Sequence, residues 1–214
     1  MLWPLLYILI FLPMLMAHLF FHAAVFSFSR LGLTPKGAFL LFTLSVLGSA
    51  INIPVYKQRL PSRHPDYLAV HPFYFFYYPP KVNYQVICVN VGGAVIPVLF
   101  SLHLLATRAD LIPSLLGIAV VTAISKALAR IVPGVGIAMP AFVSPIAAAL
   151  VALLLAPHNP APVAYVSGVL GTFLGADILN LPRIKQLEAQ VVSIGGAGIF
   201  DGIFLVGLVA ALLS

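Results

Sequence analysis

Residues 162–181 read PVAYVSGVLGTFLGADILNL. The run has the length of about 20 residues that a helix needs to cross the hydrocarbon core of a bilayer, and it carries one charge, Asp177. Its apolar residues are continuous rather than alternating, which is the pattern of a spanning helix and not of a barrel strand. The same balance extends along the chain. Of 214 residues, 62% are hydrophobic and only 7% charged, with a mean hydropathy of +1.10. A soluble domain so composed would have an apolar surface. The sequence therefore predicts an all-α, polytopic helical membrane protein, one integral domain over residues 1–214, with the lipid bilayer as its surroundings.

Outward from that run, seven segments have spanning character, near 3–27, 36–55, 86–106, 111–129, 133–156, 162–181 and 193–213. The start, MLWPLLYILIFLPMLM (residues 1–16), has no basic n-region and reads as the first span rather than a signal peptide. Of the loops, the odd ones carry Arg30, Lys36 and Arg108. The even ones carry Lys57, Arg59, Arg63, Lys81, Lys126, Arg130, Arg183 and Lys185. The positive-inside bias predicts a cytoplasmic N-terminus and a multi-pass protein of the cytoplasmic membrane. The net charge of +6 fits loops meeting anionic headgroups. It does not fit nucleic acid, because the basic residues are scattered and no recognition motif gathers them. Cys88 stands alone, which excludes an intrachain disulfide. The long connection 57–85 packs aromatics between prolines and basic residues, the chemistry of an interfacial belt; a short β-hairpin around Pro79–Pro80 is the other reading.

Charge inside the membrane is costly, about 2.5–3.5 kcal/mol on insertion scales, so an acid there faces protein or water. Asp177 and Asp201 fall at similar depth, near the cytoplasmic ends of the last two spans, which the short segment PRIKQLEAQ (182–190) joins as an antiparallel hairpin. Gly171 and Gly175 on one span, and Gly195, Gly198 and Gly202 on the next, form small-residue stripes that allow close approach. Two facing carboxyls would share a proton and titrate as a unit, the machinery of general acid/base hydrolysis. Asp177 and Asp201 are thus the candidate catalytic pair, with a membrane peptide as substrate and neither metal nor cofactor required. The alternative roles are structural: Asp201 as an N-cap for a shorter last helix and Asp177 bound to Asn180.

FSRLGLTPKGAFLLFTLSVLGSAINIPVY (28–56), VNVGGAVIP (89–97), GTFLGADILNL (171–181) and SIGGAGIFDGIFLVG (193–207) together resemble a prokaryotic family of multi-spanning membrane proteins known only as a domain of unknown function. That resemblance implies no activity. The two acids also resemble those of the intramembrane aspartyl proteases of the presenilin, signal peptide peptidase and prepilin peptidase type, which carry one Asp in one span and Gly-x-Gly-Asp in the next. Here Ile199 and Phe200 intervene between Gly198 and Asp201, turning the acid by about 200° on a helix.

Three further constellations compete. Pro133, Gly134 and Gly136, with Pro140 and Pro145, break the start of the fifth span, and broken helices expose carbonyls that transporters use to hold ions and solutes. Asn52 and Asn90 precede prolines in the second and third spans and are either cavity-lining polar spots or an interhelical hydrogen bond. With Lys126, which also reads as snorkelling to the interface, these residues support a proton- or cation-coupled small-solute transporter as the alternative to hydrolysis. A non-catalytic scaffold is the third reading. His18 and His22 have metal-ligand spacing without a third ligand.

Overall fold

The computed structural model describes residues 3–59, 84–132, 136–185, 191–196 and 202–214. It is mostly helical. In chain order the helices are α1 (Trp3–Arg30), α2 (Pro35–Gly48), α3 (Ile96–Thr107), α4 (Leu111–Leu128), α5 (Val143–Leu155), α6 (Pro160–Thr172), α7 (Leu181–Ile184) and α8 (Gly202–Leu213). A π-helical turn, Val91–Val95, leads into α3. A second, Phe173–Asp177, and a 3-10 turn, Ile178–Asn180, carry α6 into α7. Three elements are long and apolar enough to cross a membrane: Phe11–Arg30, Leu111–Leu128 and Pro160–Ile184. This is a membrane protein.

The all-α expectation needs one correction. Strands β1 (Asn52–Arg59), β2 (Tyr84–Asn90) and β5 (Val191–Ile194) form a sheet in the order β1-β2-β5, and β3 (Arg130–Val132) pairs with β4 (Gly136–Ala138). β1, β2, β4 and β5 overlap the ends of segments expected to be spans, and β3 lies between two of them. The cause lies in the residues: NIPVY, VICVN and VVSI are rich in β-branched side chains, which favour strands. A short apolar run of this kind reads equally well as buried helix or strand. β2 is flanked by antiparallel β1 and parallel β5; the hairpin reading at Pro79–Pro80 and the interfacial belt fall on residues 60–83, which lie outside the described residues.

Local chemistry sets the helix starts. Thr34 caps α2, its Oγ1 accepting from Gly37 N at 3.1 Å, and Pro35 occupies the first helical position. α6 starts on Pro160 and is buried almost all round. It packs on α3, α4, α5 and α8. Around Tyr165 at its centre, Phe28, Phe100 and Phe204 make edge-on contacts with centroids 5.4–6.4 Å apart. The outward faces of α1, α2, α4 and α5 carry exposed Leu, Ile and Phe, as lipid contact requires.

The glycine stripes seat differently from expectation. A Cβ on Gly171 or Gly175 would strike Val121, Thr122 and Ser125 of α4, and one on Gly117 would strike Ser167. Among the described glycines, Gly168 and Gly207 are the ones that mediate the approach of α6 to α8. Nor do Gly195 and Gly202 share a helical stripe, because α8 begins at Gly202 and Gly195 comes directly after strand β5.

Helix ends collect at two poles. At one, Arg30 Nη1 donates to Leu212 O at 3.1 Å, Arg108 packs on Gly32, and Asn159 Nδ2 donates to Arg108 O at 2.7 Å. At the other stands the three-stranded sheet, tied to the end of α7 through Gln58 and Gln85, which donate to the carbonyls of Lys185 and Ile184.

Candidate functional site

α2 has 14 residues and α8 has 12, about 21 and 18 Å of helix against a core of about 30 Å. A strand adjoins each of these short helices in sequence, β1 after α2 and β5 before α8, and the two strands flank β2. Asn52 of β1 lies directly opposite Asn90 of β2, and Ser193 of β5 is beside them. Asn90, fully buried, begins the π-helical turn: its Oδ1 accepts from Gly93 N at 2.8 Å. Its Nδ2 donates to Ser49 O at 2.8 Å and to Asn52 Oδ1 at 3.1 Å. Ser193 Oγ donates to the same Asn52 Oδ1 at 2.5 Å. One network thus joins the C-terminus of α2, the entry to α3 and the strand that precedes α8.

Backbones touch here because side chains are missing. A Cβ on Gly92 would overlap the Ser45 carbonyl and Ser49 nitrogen of α2. Gly195, at φ +68°, holds a conformation L side chains rarely adopt, and a Cβ there would strike Gly93 and Ala94. Backbone that leaves a helical or strand ladder must find its hydrogen bonds elsewhere, and the Asn90 side chain supplies them to Gly93 N and Ser49 O. Of the two readings of Asn52 and Asn90, cavity-lining spots or an interhelical hydrogen bond, the structure shows a bonded pair, but between strands β1 and β2 rather than between helices. Sequence reasoning missed Ser193 and Ser49. The one signal for Ser193 is its neighbourhood, the SIGG stretch whose first glycine is a contact point.

A second cluster lies at the same pole. Asp177, half-buried, ends the π-helical turn of the 160–184 element. Asn180 is buried, and its Nδ2 donates back to Ala176 O at 2.9 Å and Gly175 O at 3.2 Å. Lys126 of α4 donates to Asn180 Oδ1 at 2.6 Å and to Leu179 O at 2.5 Å. Lys126 therefore does more than reach the interface: it caps the carbonyl end of a helix, where a cation is favoured. Asp201, Gly198, Pro133 and Gly134 lie outside the described residues, and Gly136 starts β4. His18 and His22 touch edge-on at 4.3 Å between centroids; among the described residues no three metal-ligating side chains gather.

No curated protein and no solved structure is significantly similar to the chain, so the likeness to intramembrane aspartyl proteases rests on the two acids alone. A family model described as "Protein of unknown function (DUF1614)" matches residues 46–213. That match runs from the last turn of α2 to the end of α8 and includes every segment of the junction. The chain belongs to this family of unknown function.

Proposed function

We propose that the chain is a multi-pass carrier in the cytoplasmic membrane, moving a small solute with proton or cation coupling, and that the junction of Asn52, Asn90 and Ser193 contacts the solute. The carrying observation is the buried Asn90 network at a point where helices stop short and three backbones abut. Discontinuous helices with polar atoms at their broken ends are how transporters hold solutes at membrane depth. Four shorter apolar helices, Pro35–Gly48, Val91–Thr107, Val143–Leu155 and Ile203–Leu213, support seven crossings in all. The sheet pole carries Lys57, Arg59, Lys126, Arg130 and Lys185, while Arg30, Lys36 and Arg108 belong to the other end. This asymmetry supports a cytoplasmic sheet pole and a cytoplasmic N-terminus. Asp177 is the coupling group in this reading.

The test is reconstitution in proteoliposomes with a trapped pH dye, challenged with small organic acids, amino acids and sugars under proton and sodium gradients. Solute-dependent ion movement that disappears in Asp177→Asn, with the variant still folded, supports coupled transport. Absence of flux for every class in a folded preparation sinks it. Peptide hydrolysis by Asp177 and Asp201 keeps one supporting observation, the π-helical turn that ends on Asp177, since such turns recur at functional sites. In the hydrolytic reading Asp177→Asn abolishes cleavage of a membrane peptide and leaves ion flux irrelevant.

A further inference from the structure

The orientation of the Asn52 amide identifies what the junction presents. Gly93 N–H can only donate, so the Asn90 atom it meets is the carbonyl oxygen. Asn90 Nδ2 then spends its two hydrogens on Ser49 O and on Asn52. The Asn52 atom facing it must accept, and it also takes the Ser193 hydroxyl proton. The Asn52 NH₂ is therefore turned outward on an exposed residue, with no partner for it among the described residues. The junction offers two hydrogen-bond donors and no free acceptor from this side chain.

Charge on the same face agrees. β1 and β2 pair Asn52 with Asn90 and Pro54 with Cys88, then slip, pairing Lys57 with Val86 and Arg59 with Tyr84. Side chains alternate along a strand, so the extra residue, Val55, moves Lys57 and Arg59 onto the face of Asn52, Asn90 and Ser193. Both cations stand over the Tyr84 ring, at 4.6 and 5.7 Å from its centroid. The acids among the described residues, Asp110 and Asp177, belong to other elements.

We infer that this sheet face binds an anion with carboxylate-like or phosphate-like oxygens at the Asn52 NH₂, drawn there by the positive field of Lys57 and Arg59, which stand about 13 Å or more further along the strand. The inference rests on the proposed role of the junction as a binding site and adds the sign of its ligand. Asn52→Asp tests it directly, since an aspartate keeps both accepted hydrogen bonds and replaces only the outward donors with a negative oxygen. The full chain in phosphatidylcholine nanodiscs is melted at constant ionic strength while sodium acetate replaces sodium chloride. A ligand that binds the native state raises Tm. The expected result is a saturable rise for the wild type, an apparent affinity at least tenfold weaker in Asn52→Asp, and an intermediate loss in Lys57→Gln/Arg59→Gln. The unliganded Tm of each variant serves as the folding control.

The measurement is repeated in phosphatidylglycerol nanodiscs. Loss of the acetate response there, with phosphatidylglycerol co-purifying with the wild type and not with Asn52→Asp, assigns the same anion chemistry to a lipid headgroup. An acetate response equal in Asn52→Asp and wild type overturns the inference. So does no response in either lipid, or an Asn52→Asp protein that sodium stabilises over choline where the wild type is indifferent. Acetate binding without any flux would instead remove the transport reading and leave the anion site standing.

Discussion

Asn90→Ala should be the most damaging single substitution among the polar residues of the junction. It removes three hydrogen bonds, from Gly93 N and to Ser49 O and Asn52 Oδ1. At about 0.6 kcal/mol each, a typical value between membrane helices, they total about 2 kcal/mol. The Gly93 N–H is left without its acceptor in a buried setting, which adds about 1 kcal/mol or more. A loss of about 3 kcal/mol in a chain of this size corresponds to a Tm lower by about 6–12 °C. Asn52→Ala, at an exposed residue, leaves Asn90 still bonded to Ser49 O and Gly93 N and should cost well under half as much. Both are read by light scattering and intrinsic Tyr fluorescence during thermal unfolding in detergent. If Asn90→Ala melts within a degree or two of the wild type, or no lower than Asn52→Ala, the network does not hold the three segments together.

Gly92→Ala should cost about 3 kcal/mol, the upper end of overpacking, because its Cβ meets α2 backbone rather than a yielding side chain; a monodisperse, wild-type-like size-exclusion profile with unchanged Tm would refute the close approach. Lys126→Ala should cost about 1 kcal/mol through the uncapped Leu179 carbonyl and the lost Asn180 contact. An unchanged Tm in that variant would mean that the ammonium is held by solvent rather than by the helix end.

The helical interior is legible in the sequence because its signal is length: apolar runs such as 111–129 and 162–181 have few other ways to be buried. The strands are not. NIPVY and VICVN continue the apolar runs of α2 and α3 without a break in hydropathy, and their identity is decided by partners distant in sequence. The two asparagines are legible as polar exceptions, each before a proline, yet their pairing depends on β1 and β2 lying side by side. Ser193 carries less signal, since a serine at the edge of an apolar run is unexceptional. The glycines at 171 and 175 read correctly as contact surface, but sequence adjacency suggests α8 as the partner where the fold supplies α4. A stripe states that something fits closely; it does not say what.

Val55 has a consequence of a different kind. A strand has a parity, and the unpaired residue between Pro54 and Tyr56 inverts it once. Lys57 is five positions from Asn52 and would stand on the opposite side of an unbroken ribbon. Drawing Val55 into the ladder, so that all five positions pair as an unbroken ribbon, would keep every functional group and yet divide the amide from the cations, one to each side of the sheet. Among members of this family the interval between the two is therefore as informative as the residues that bound it. A relative that loses one residue there keeps the amide and the positive charges on the same side only if the bulge goes with it, because four positions of unbroken strand restore the parity.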